Sequence, residues 1–156
     1  MIAQSHEIHV STRGNDHILD VTPPLQEIVA AAGISIGQLT VMVVGSTAAL
    51  TTLEFEPGLV DHDMTALLER LAPKDGVYQH ELTWNDDNGH SHLRASLIGP
   101  SLAIPIVDGN LPLGTWQQVV LVDCDTRPRE RRLAVAVVGA PRTDSGLRVA
   151  PHGQGA

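Results

Sequence analysis

Between Ser5 and Thr12 the side chains of His6, Ile8 and Val10 alternate with His9 and Ser11, the period-two pattern of a strand with one buried face. The period then lengthens. Leu25, Ile28, Val29 and Ala32 recur on one helical face, Thr22 is placed to cap that helix, Pro23 suits its first position, and Gly33 supplies a stop. Gln38 to Val44 is a β-branched run of strand length, and Pro57-Gly58 marks a turn. Met64, Leu67, Leu68 and Leu71 return to helical spacing, closed by Pro73. Val77 to Thr83 reads as a strand and Asn85 to Gly89 as a loop. His92 to Ile98 predicts a short helix that begins near Asn88 and stops at Gly99-Pro100. Ser101 to Val107, the turn Asp108-Gly109-Asn110 and Leu111 to Asp123 predict a hairpin, and Thr126-Arg127-Pro128-Arg129 turns the chain into a last strand, Arg132 to Val138.

Strands outnumber helices and do not alternate with them regularly. The expected class is therefore α+β: one compact domain at residues 1–140, with mostly antiparallel sheet and two to three helices. From Pro141 the pattern dissolves into Pro, Gly, Ser and polar residues, so 141–156 reads as a flexible C-terminal tail. A formal net charge of −8 argues against nucleic acid or an anionic membrane as the main partner. With no charged-then-apolar leader, no apolar run of membrane-spanning length and a single cysteine, Cys124, a cytoplasmic protein is expected. Cys124 reads as a small core residue on a strand rather than a catalytic thiol.

Histidine is the richest chemical signal, with eight in the chain. His80 precedes the acidic loop Asp86-Asp87-Asn88-Gly89-His90-Ser91-His92, so His80, His90 and His92 form a candidate ligand set for zinc or another divalent ion. On one helix His90 and His92 would diverge by about 200°, and they share a metal only if the helix begins after His90. The alternative is that one caps the helix and the other is a surface imidazole. Gly45-Ser46-Thr47 is either an anion-holding turn or simply the end of a strand, since the Gly-x-x-x-x-Gly-Lys pattern is absent. Glu54 and Glu56 would share one face of a strand, as an acid–base pair, as hard-metal ligands or as solvated edge charges. The cluster Arg127, Arg129, Arg131 and Arg132 reads as turn charge or a phosphate contact, and Trp116 and Gln117 as packing residues, pocket lining or a subunit contact.

Three stretches, Gly45 to Thr52, Asp87 to Leu102 and Leu113 to Gln118, together resemble the YjbQ-like family, in order over about Ser5 to Gly139. The resemblance implies a compact α+β fold assembled as a homotrimer, with some members described as secondary thiamine-phosphate synthases. It also implies a divalent metal, zinc or magnesium, at a histidine cluster, which falls by position on His80, His90 and His92 with Asp87 and Arg94 as neighbours. Many members carry histidine where this chain has Gly45. The expectation that results is a metal-assisted enzyme acting on a small phosphorylated substrate. Arg94 and the Ser46-Thr47 turn would help the metal to neutralise a leaving pyrophosphate, and Glu54 or Asp87 would handle a proton. The alternatives are a non-catalytic trimeric binding or scaffold protein and a phosphoester hydrolase at the same site.

Overall fold

The computed structural model describes residues 1–142. Its elements, in chain order, are β1 (Ile2–Ser11), β2 (His17–Asp20), α1 (Thr22–Ala32), β3 (Ile34–Val44), β4 (Ala48–Leu53), a π-helical turn (Leu59–Asp63), α2 (Met64–Leu71), α3 (Gln79–Trp84), α4 (Gly89–Ile98), β5 (Ser101–Ile106), β6 (Gln118–Asp123) and β7 (Glu130–Pro141). The strands make two antiparallel sheets, one ordered β1-β7-β3-β5 and the other β2-β6-β4. The α+β class expected from the sequence is what the chain forms, with four α-helices rather than two or three.

The main core lies between the sheets, where Leu39, Val41 and Val43 of β3 and Leu133, Val135 and Val137 of β7 meet Leu50 of β4, Leu121 of β6 and Leu25 and Val29 of α1. A smaller cluster on the other side of the three-stranded sheet joins Val120 and Val122 of β6 to Leu68 of α2. Residues Val119 to Asp123 of β6 are thus buried on both faces, which is why that strand reads as an unbroken apolar run. The outer face of the four-stranded sheet presents Ile36, Met42, Val44 and Val138, which nothing among the described residues covers.

Several local expectations change. Thr22 is the first helical residue rather than the cap. Asp20 Oδ1 accepts from the Thr22 N–H at 2.8 Å, while the Thr22 hydroxyl accepts from the Val119 N–H at 2.8 Å. Gly33 ends α1 in the left-handed conformation, as expected. The turn at Asp108 and Gly109 forms, but β5 pairs with β3, whereas β6 begins only at Gln118 and joins the other sheet. Pro112 and Gly114 break the run that would have extended the hairpin. Of the expected tail, Pro141 belongs to β7 and the Arg142 N–H donates to the Gly33 carbonyl, while 143–156 lie outside the described residues.

Candidate functional site

Val77 to Thr83, expected as a strand, pairs with neither sheet, and the chain from Gln79 to Trp84 is helical instead. Asn85 closes α3 in the left-handed conformation, its N–H donating to the Glu81 carbonyl at 2.7 Å. The reversal brings Asp86 back over His80, with His80 Nε2 3.6 Å from Asp86 Oδ2. α4 begins at Gly89, so His90 and His92 both lie on it and point apart. His92 faces α3, where its ring centroid is 4.4 Å from that of His80 at a 57° tilt. His90 turns inward, 2% exposed, with its ring 6.2 Å from Tyr78.

The three imidazoles therefore do not converge, and the set His80, His90 and His92 does not fit a single metal ion. Among the described residues no group of three or more His, Cys, Asp or Glu side chains is placed to hold one. What converges is His80, His92 and Asp86. Asp86 was missed because Val77 to Thr83 read as a strand; the signal that could have found it is Asn85, a residue type that tolerates the left-handed helix cap.

Unpaired buried polar atoms mark the same corner. Among the described residues these are Asp16 Oδ1, His80 Nε2, Asp86 Oδ1, Asn88 Oδ1 and His90 Nδ1. His80 Nε2 and Asp86 Oδ1 lie at the corner itself, whereas His90 Nδ1 lies on the inward face of α4 and Asp16 Oδ1 belongs to the partner of Arg94. Each unpaired buried group costs about 1–3 kcal/mol, which a proton, a water or a hydrogen-bonding ligand at the corner would relieve. Burial first, and then the neighbouring His80, holds His92 below the ordinary imidazole pKa; burial and then Arg94 do the same to His90. His92 thus faces the corner as a neutral imidazole at neutral pH.

Of the other expected site residues, only Ser46 stands free beside the imidazoles. Arg94 is 2% exposed and donates to Asp16 Oδ2 at 2.6 Å, to Glu69 and to the Ala72 carbonyl at 2.9 Å, which leaves it unable to meet a substrate phosphate. Thr47 is likewise buried, donating to Asp125 Oδ2 at 2.8 Å and accepting from Arg131 at 2.9 Å. Ser46 is exposed and, with Gly45, lines a cleft beside His92. Asp87 lies next to Asp86 but turns outward to Thr126 and Arg127. Glu54 follows the far end of β4, about 20 Å from Ser46 for a strand of that length, and Glu56 accepts from the N–H groups of Gly58 and Leu59 instead of pairing with it. Trp116 and Gln117 occupy the same far end, where Gln117 donates to Thr52 and Trp116 is 70% exposed. Within one chain, then, the imidazole corner lacks Glu54, Trp116 and Gln117. Cys124 is buried one residue past β6, and burial pushes its thiol up to about 12, which leaves it a core residue.

Comparison with known proteins gives one consistent answer. Residues 6–140 match the family described as UPF0047 protein YjbQ-like. The chain is 35% identical over 141 residues to a UPF0047 protein of Methanothermobacter thermautotrophicus, covering 90% of this chain and 96% of the relative. It is 30% identical over 115 residues to UPF0047 protein YjbQ of Escherichia coli O157:H7, covering 74% and 83%. Among solved structures, a YbjQ-like protein of unknown function from Sulfolobus solfataricus P2 superposes with a TM-score of 0.83 at 33% identity, over 88% of this chain and 98% of the other. A hypothetical protein of Aeropyrum pernix K1 gives 0.81 at 35% identity, over 88% and 99%. With the family matched across nearly the whole described fold, and the crystal structures sharing that fold, the chain belongs to the YjbQ-like UPF0047 family.

Proposed function

We propose that this chain is an enzyme acting on a small phosphorylated substrate, with His80, His92 and Asp86 as the group that handles charge and protons. The observation that carries the reading is the 4.4 Å approach of the two imidazoles with His80 Nε2 and Asp86 Oδ1 left unpaired. Neutral His92 accepts a proton or hydrogen bond from the substrate, Asp86 orients His80, and the exposed Ser46 offers a hydroxyl beside them. The family resemblance supplies a divalent ion, zinc or magnesium, but the described side chains do not fit one, and no step of this reading runs through a metal. Thiamine-phosphate synthase activity, joining a pyrimidine diphosphate to a thiazole phosphate with release of pyrophosphate, is the candidate that the family resemblance supplies. The same reading takes the protein as cytoplasmic and homotrimeric. Among the described residues no helix is long and apolar enough to cross a membrane.

Product analysis tests it. Wild type given both substrates and magnesium or zinc should form the coupled product, and His80→Ala and His92→Ala should lose it. Product from the diphosphate alone would mark a phosphoester hydrolase. A second reading, a non-catalytic trimeric scaffold, is favoured by the open sheet face bearing Ile36, Met42, Val44 and Val138. Trimers in solution, with no turnover of either substrate, would establish it over the enzyme.

A further inference from the structure

Beside His92 the fold leaves a cleft of about 570 Å³, within the ordinary range for a small-molecule site. Ala48 and Ala95, 1% and 4% exposed, make its floor. Leu93 and Pro100 line it further out, and His92 joins it to the imidazole corner. We propose that this cleft holds an uncharged, planar ring of the substrate, whose phosphate end meets His80 and His92; the inference rests on the enzyme reading above.

Three observations lead there. Among the described residues no Lys, Arg, Asp or Glu lines the cleft. The nearby Arg94 and Arg131 are already ion-paired, Arg94 with Asp16 and Glu69 and Arg131 with Asp123. A charged group placed deep in the cleft would meet only cations that are already ion-paired, so an uncharged occupant loses less on leaving water. The floor is made of two buried methyl groups and the sides include an imidazole and a prolyl ring, surfaces that suit the face of a flat ring.

Calorimetric titration with phenyl phosphate, glycerol 1-phosphate and inorganic phosphate tests the assignment. Burial of the ring should make phenyl phosphate bind at least about tenfold more tightly than glycerol 1-phosphate. Ser96 lines the cleft from an exposed position on α4, so Ser96→Phe should fold normally and fill it. In that variant phenyl phosphate should fall to the level of glycerol 1-phosphate while inorganic phosphate is unchanged; His92→Ala should weaken all three. Equal binding of the two esters by wild type, or a ring preference that survives Ser96→Phe, overturns the cleft assignment and leaves the imidazole site standing. If none of the three binds, with or without zinc or magnesium, the enzyme reading fails and the cleft assignment fails with it.

Discussion

Two polar regions of this molecule use similar side chains in opposite ways. Around Arg131 every charge is closed: its guanidinium donates to both oxygens of Asp123 at 2.6 and 2.7 Å and to Thr47, Asp123 also accepts from Thr12 and from the Asp125 N–H, and Asp125 accepts from Arg129 at 3.0 and 3.2 Å. At the α3–α4 corner, by contrast, His80, Asp86, Asn88 and His90 each keep a buried atom without a partner. The first region ties β6 and β7 to the Gly45–Thr47 turn and is structural. The second leaves hydrogen-bonding capacity unused next to an open cleft, as expected of a binding site. Charge alone does not distinguish the two; satisfaction does.

The contrast can be broken most severely at Arg131. Arg131→Ala strands Asp123, which is fully buried, and should cost about 3–5 kcal/mol in urea unfolding. A loss below about 1 kcal/mol would mean that the network is not structural. His80→Ala and His92→Ala should do the reverse, changing stability by no more than about 1 kcal/mol while lowering affinity for inorganic phosphate and its esters about tenfold or more. Acid sharpens the distinction further. Imidazoles of the unfolded chain take up protons near the ordinary value of about 6.5, whereas His90 and His92 resist until lower pH. The unfolded state then binds more protons, and stability should fall as pH drops below about 6.5. His90→Gln should flatten that fall, and an unchanged slope would show that His90 does not contribute to it. The smallest effects belong to Glu54→Gln and Asp87→Asn, exposed positions where stability should stay within about 0.5 kcal/mol and ligand binding should not change.

Much of the fold was legible because its elements carry their own punctuation. α1 ends at Gly33, α2 repeats Met64, Leu67, Leu68 and Leu71 before Pro73, and α4 stops at Gly99. What could not be read is pairing. Whether Leu111 to Asp123 returns along β5 or crosses to another sheet depends on which edge is free, a long-range matter that local composition does not encode. The site was half legible for the same reason. His80 and His92 stood out by residue type, and the 200° rule had already made their partnership with His90 conditional on where α4 begins. Asp86 depended on α3 being a helix, and Arg94 and Thr47 looked available because their buried partners, Asp16 and Asp125, come from distant parts of the chain. The Glu54, Trp116 and Gln117 end lies beyond reach of the corner in one chain, which no spacing argument could reveal.

The central claim is that His80 and His92 act as one site from which His90 is excluded. Long-range imidazole proton–nitrogen NMR during titration with inorganic phosphate addresses it directly. The His80 and His92 signals should move together along one saturation curve, with those of His90 unmoved. A response confined to His90, or independent curves for His80 and His92, would contradict the account.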